Sequence, residues 1–237
     1  MTHPIFHHDA YVRQFDARVA AVDGDQIALD RTAFFPGGGG QPCDIGTLET
    51  SAGALAVTAV KRRDGDIWHT VEGAAPEPGG DVRGEIDWDN RHKLMRTHTA
   101  LHVLCGVIWR DFGAHVTGGN MTPLAARMDF ELEQMSADFA ERVERLANAE
   151  VANARPISIR FLPREEAFAH PDLIRTKINL LPEGITEVRV VDIDGLDVQA
   201  DGGTHVANTR EIGSIRVVGH ESKGRINKRL RIAVEDA

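Results

Sequence analysis

Between residues 10 and 75 the apolar residues of this chain fall in short alternating runs cut by glycine. Beyond about residue 85 the period changes to that of a helix. The early runs include Ala17 to Val22, Ile27 to Leu29 and Leu55 to Val60, with Gly24, Gly37 to Gly40, Gly46, Gly53 and Gly65 between them. Period two is the signature of half-buried strands, and glycine supplies the turn dihedrals, so this part reads as a small antiparallel barrel or sandwich. The segment Gly73 to Gly84 is the linker expected between it and the rest. A helix follows, with Asp89 as N-cap and Gly113 just past its end. On it Leu94, His98, Leu101, Cys105 and Ile108 recur at spacings of four and three, which places them on one buried stripe and turns His98 inward.

Past the helix, Ala114 to Leu132 reads as a strand pair and Ser136 to Ala154 as a charged amphipathic helix. Strands are then expected at Ile157 to Phe161, Glu187 to Ile193, Glu211 to Val218 and Leu230 to Val234. The fold class is α+β: a small N-terminal β-barrel over residues 1–85, then a domain over 86–237 with helices laid on a mostly antiparallel sheet.

Composition limits the functional classes. Of 237 residues, 42% are hydrophobic and 27% charged, and the longest near-apolar run, Leu101 to Trp109, is far short of the roughly 20 residues a membrane helix needs. No transmembrane helix is expected. Polar and acidic residues interrupt the N-terminus before an apolar signal region develops, so the chain reads as cytoplasmic. Only Cys43 and Cys105 are present, without a CxxC pattern, which fits a reducing compartment. The net charge of −9 argues against broad nucleic-acid binding, yet Lys223, Arg225, Lys228, Arg229 and Arg231 form a basic stretch, as do Lys61, Arg62 and Arg63. These offer either a docking face or ordinary solvated strand edges.

Two motifs carry chemistry. In His98-Thr-Ala-Leu-His102 the imidazoles lie one helical turn apart on one face, a spacing that suits two ligands of one metal. Thr99 stands where a metalloprotease of the HExxH type would have its glutamate, so that arrangement is absent. In Asp201-Gly-Gly-Thr-His205 the glycines let the chain fold back so that a carboxylate and an imidazole converge; the plain reading is a hairpin turn. A ligand pair on a helix and another on a loop make a common plan for a four-point tetrahedral site.

Together HTALH, DGGTHV and the following NTREIG resemble the editing domain of alanyl-tRNA synthetases and their free-standing AlaX relatives. The segment from Thr32 to Pro42, TAFFPGGGGQP, with Asp44 and Gly46, resembles the glycine-rich segment before the editing core in longer AlaX proteins. Lys223-Gly224, Asn227 and Arg229 to Ile232 resemble the family's closing strand, so the likeness runs from about Asp9 to Ile232. It implies the medium-length type, with the N-terminal barrel and no C-terminal extension.

The resemblance implies one Zn2+ per chain held by His98, His102, His205 and the residue at 201, where the family has cysteine and this chain has Asp201. Carboxylate oxygen is a harder ligand than thiolate and weakens discrimination against Mn or Fe. Asp201 has two other places open to it, as an acceptor behind the metal or as general base, and Cys105 is a further ligand candidate. The implied activity is hydrolysis in trans of tRNA(Ala) mischarged with Ser or Gly. Thr99, Thr204 and Gln41 are the polar side chains to test in catalysis, and Lys223, Arg225, Lys228 and Arg229 those for tRNA. No phosphate-binding GxxxxGK[ST] loop is present. Rival readings are a non-catalytic metal-binding RNA-interaction module and a general metal-dependent esterase.

Overall fold

The computed structural model describes residues 1–169, 173 and 186–236. Two units, Met1–Lys93 and Leu94–Ala237, divide the chain. The first contains β1 (His3–Pro4), β2 (Gln14–Asp23), β3 (Gln26–Leu29), β4 (Arg31–Thr32), β5 (Gly46–Thr50), β6 (Gly53–Arg63), β7 (Asp66–Glu72) and β8 (Asp81–Ile86). The strands β2, β3, β7, β6, β5 and β8 close, in that order, into a barrel whose neighbours are all antiparallel. Closure removes the exposed edges that a sandwich would keep, and settles that choice. Burial alternates residue by residue along β2 and β8, so Phe15, Val19, Val82 and Ile86 meet Ile27, Leu29, Leu48 and Val60 inside.

The expected linker is only half a linker. Asp81 to Gly84 belong to β8, which pairs with β2 on one side and β5 on the other. The strand is hard to read because one of its inward positions is Gly84, where a Cβ would lie 2.3 Å from the Phe15 ring. Arg91 anchors this unit from within: it is buried, pairs with Asp44, and donates to the carbonyls of Ala10 (2.8 Å) and Ala33 (2.6 Å). A buried pair is tolerable when such added hydrogen bonds satisfy the remaining donors.

Helix α1 (Trp88–Phe112) begins in the first unit and continues into the second. Its cap is Asp87, whose Oδ1 accepts from the Asn90 N–H at 3.0 Å; Asp89 sits inside the first turn. Gly113 ends it at φ 64°, donating to the Trp109 carbonyl. From Leu94 to Ile108 every residue is buried, not one stripe alone. Arg96, the single charged residue in that stretch, is held by the carbonyls of Ile212 and Glu235 and the carboxylate of Asp236.

The second unit adds β9 (Val116–Thr122), β10 (Ala125–Glu131), α2 (Ala137–Ala152), β11 (Ile157–Pro163), α3 (Arg164–Ala169), β12 (Glu187–Ile193), β13 (Asp197–Ala200), β14 (Ser214–Gly224) and β15 (Asn227–Glu235). They form two antiparallel sheets, β14-β15-β10-β9 and β11-β12-β13, so the α+β class holds. Ser136 caps α2 through the Phe139 N–H. The strand expected from Glu211 starts later, at Ser214. Glu211 instead accepts from the Ala207 and Asn208 N–H groups and caps the short 3-10 turn Thr209–Ile212. Helix α1 and the β12–β13 turn meet at Gly106. A Cβ there would lie 2.9 Å from Leu196 Cγ, so its absence lets the turn press against the helix.

Candidate metal centre

His98, His102, Asp201 and His205 each offer a ligand atom, and these atoms all lie within 4.8 Å of one another. The two helical histidines are brought together by their one-turn spacing, with ring centroids 5.1 Å apart. His205 arrives from the loop after β13, its centroid 4.2 Å from that of His98 and 4.7 Å from that of His102. Asp201 faces two of these rings: Oδ1 is 3.6 Å from His98 Nε2 and Oδ2 is 3.0 Å from His205 Nε2. A tetrahedral zinc with arms of about 2.1 Å has ligand-to-ligand edges of about 3.4 Å, which these two distances bracket. The Gly203 N–H donates to Asp201 Oδ2 at 2.6 Å and closes the loop, but neither Gly202 nor Gly203 has a positive φ and a Cβ at Gly202 would meet nothing within 4 Å, so the turn does not depend on glycine at 202 as the sequence suggested.

Hydrogen bonds fix which nitrogen each ring presents. His102 Nδ1–H donates to Asp197 Oδ2 at 3.0 Å, which leaves Nε2 as the unprotonated atom of the neutral ring. The Thr99 hydroxyl gives its proton to the Met95 carbonyl (2.9 Å), so it accepts from His205 Nδ1–H (3.2 Å) and from the Val206 N–H (3.2 Å). His205 Nε2 faces Asp201 Oδ2 at 3.0 Å. His98 is steadied by a hydrogen bond to the Thr204 backbone.

Electrostatics favours the same protonation state. Burial, with help from His102 and Arg189, pushes the His98 imidazole down to about 4, against the pull of Asp201. Burial and then His98 hold His205 well below the usual histidine range. Burial pushes the Asp201 carboxyl up, but His98, His205 and His102 together outweigh it and hold the group well below the carboxylate range. Neutral imidazoles and an ionised carboxylate are the forms that bind a divalent metal.

Comparison with known proteins decides the family. The chain is 39% identical over 238 residues to the alanyl-tRNA editing protein AlaX-M of Saccharolobus solfataricus, covering 99% of this chain and 100% of that protein. To the AlaX-M protein of Methanosarcina barkeri it is 37% identical over the full length of both. The chain belongs to the AlaX-M family. Family models agree: "Threonyl and Alanyl tRNA synthetase second additional domain" matches residues 188–231, and "tRNA synthetases class II (A)" matches 5–90. The chain is also 42% identical over 224 residues to the alanine–tRNA ligase of Pyrobaculum aerophilum, a match that spans 91% of this chain and 25% of the ligase.

Within this AlaX-M chain the other sequence candidates have separate places. Thr99 and Thr204 are buried beside the histidines. Gln41 lies in the barrel unit, in a turn where its backbone exchanges hydrogen bonds with Gly38. Cys105 lies outside the four-ligand cluster, and its Sγ accepts from Gln199 Nε2 at 3.3 Å. Of the four basic candidates, Lys223 is exposed near the end of β14 and Arg225 on the β14–β15 turn. Lys228 is buried and donates to the Gly224 and Arg225 carbonyls, and Arg229 forks onto Asp129 at 2.6 and 2.8 Å. Sequence reading missed three residues around the centre. They are Asp197, Gln199 and Arg189, whose Nη1 donates to the Asp201 carbonyl at 2.8 Å. No helix of the described residues is long and apolar enough to cross a membrane.

Proposed function

We propose that this chain is a trans-acting proofreading hydrolase. Its substrate would be the ester of tRNA(Ala) mischarged with Ser or with Gly, cleaved at one Zn2+ held by His98, His102, Asp201 and His205. The reading is carried by one observation: three imidazoles and one carboxylate bring their ligand atoms within 4.8 Å of one another in a chain of a family named for alanyl-tRNA editing. A divalent ion there supplies Lewis-acid polarisation of an ester carbonyl and of a water molecule. The protein's own part is to aim and neutralise the ligands. Thr99 acts through His205, whose ring it orients, and the Thr204 backbone does the same for His98. Water adds to the carbonyl carbon, the bond from that carbon to the ribose oxygen breaks, and the ribose hydroxyl recovers the proton. Gln41 enters as a candidate to orient the substrate, and the exposed Lys223 and Arg225 as phosphate contacts.

The test is to incubate the protein with Ser-tRNA(Ala), Gly-tRNA(Ala) and Ala-tRNA(Ala), then repeat after chelation and after returning Zn2+. The expected result is loss of the Ser and Gly esters, survival of the Ala ester, and recovery only with metal. Survival of all three esters in the metal-loaded protein sinks the hydrolase and leaves a metal-binding RNA module. Equal hydrolysis of p-nitrophenyl acetate with or without tRNA would instead point to a general esterase.

A further inference from the structure

The three imidazoles of the centre are not supported alike. His205 leans on the neutral hydroxyl of Thr99, and His98 on a backbone group. His102 donates from Nδ1 to a carboxylate outside the ligand set, Asp197 Oδ2 at 3.0 Å. That oxygen is itself held: Gln199 Nε2 donates to it at 2.7 Å while also reaching Cys105 Sγ. Asp197 is 1% exposed, so its charge acts in a region from which water is excluded. The pair has a structural origin. Asp197 and Gln199 are alternate residues of β13 and so point to one side, and Gly106 allows the turn just before Asp197 to lie against α1, one turn beyond His102.

From this geometry we infer that Asp197, locked by Gln199, is the positioning residue that sets the affinity of the centre for its metal. The inference rests on the proposed metal centre. Two effects act through His102. The carboxylate fixes the tautomer with Nε2 unprotonated and limits rotation of the ring, and its charge makes that nitrogen a stronger donor. Formal charge points the same way. Asp201 and Asp197 carry −2 and Arg189, whose Nη1 lies 3.9 Å from Asp201 Oδ2, carries +1, so a divalent ion raises the buried set from −1 to +1. Without Asp197 the loaded set would stand at +2. Removing a carboxylate behind a metal-binding histidine weakens metal affinity by about 10- to 100-fold.

The experiment is a Zn2+ titration of the chelator-stripped full chain against a chromophoric competitor, for the wild type, Asp197→Asn and Gln199→Leu. The visible spectrum of the Co2+-loaded proteins is recorded in parallel. Asn keeps the shape and an acceptor oxygen but loses the charge. Asp197→Asn should bind Zn2+ about 10- to 100-fold more weakly and shift the Co2+ bands, while its metal-free form melts near the wild type. Gln199→Leu keeps the charge but frees the carboxylate, and should weaken Zn2+ several-fold. Should Asp197→Asn fail to fold, the Gln199→Leu titration decides alone: weaker binding supports the inference and wild-type binding overturns it. Wild-type affinity and spectrum in Asp197→Asn likewise overturn it, whereas a wild-type chain that takes up no divalent ion sinks the metal centre itself.

Discussion

Each unit buries histidine, and burial does not tell the two sets apart. His69, inside the barrel, is fully buried and desolvation pushes its ring down to about 4; His98, in the second unit, is equally sheltered and is pushed to about the same value. What differs is where the ring nitrogens point. His69 Nδ1–H donates to the Ile27 carbonyl at 3.1 Å and Nε2 accepts from the Thr32 hydroxyl at 2.9 Å, so the fold answers both nitrogens. The ring also packs edge-on against Phe34. In the second unit Nε2 of both His98 and His205 turns toward the same carboxylate. A lone histidine held between a hydroxyl and a carbonyl stabilises a core; a group of them sharing one focus is built for a ligand.

The sharpest way to break this comparison is to remove one ring from each set. His102→Ala should abolish tight Zn2+ binding and reduce Ser-tRNA(Ala) hydrolysis by on the order of 1000-fold or more, since a bound metal contributes several kcal/mol at the transition state. Single-turnover deacylation and metal content check it, and an unchanged rate removes the metal from the chemistry. His69→Ala should do the reverse. It leaves the Thr32 hydroxyl and the Ile27 carbonyl without their partner and opens a cavity, at a cost of about 2–4 kcal/mol. Chemical denaturation reads that loss, with one Zn2+ per chain retained; lost metal with unchanged stability would dissolve the distinction.

How much of the molecule is legible in its sequence depends on distance along the chain. HTALH and DGGTH are local: helical periodicity and a glycine turn bring each pair together, so the four ligand candidates follow from spacing. Asp197 does not, because it meets His102 across 95 residues through the placement of β13, and one acidic residue in a strand gives no sign of what it faces. The basic stretch before the C-terminus is only half legible for the same reason. Its charges are visible in sequence, but the partner of Arg229 is Asp129, 100 residues away. β8 is obscured by Gly84, and the all-round burial of α1 has one sign in the sequence, the single charge between Leu94 and Ile108.

A smaller effect separates the sets by pH. His69 is neutral in the fold and has an ordinary value near 6.5 when unfolded. Between 6.5 and 4 the unfolded chain binds the extra proton, so the contribution is complete above 6.5 and is lost as pH falls toward 4, a total of ~3 kcal/mol. His98 behaves alike in the metal-free protein, whereas bound Zn2+ adds stability that fades as acid protonates its ligands. Denaturation of His69→Gln across this window should therefore show a shallower acid slope by about one proton, with or without Zn2+. An unaltered slope would mean that His69 does not titrate in this way.

The same criterion, whether the fold already answers a polar group, ranks the basic residues. Arg229 is engaged by Asp129, and Lys228 by two carbonyls, so their substitution should first cost stability. Lys223, near the end of β14, and Arg225, on the β14–β15 turn, are exposed, with Lys223 only 3.7 Å from Glu221 in a pair open to solvent. Exposed pairs of that kind contribute little to folding, which leaves the charge available to a phosphate. Arg225→Ala should leave the melting temperature unchanged, weaken tRNA(Ala) binding a few-fold at moderate salt, and lower the slope of log affinity against log salt by about one. Arg229→Ala should instead lower the melting temperature, because Asp129 is then left without its fork. If Arg225→Ala binds tRNA with wild-type affinity and salt slope, the turn is not part of the RNA surface, and exposure alone is as poor a guide to function as burial was for His69.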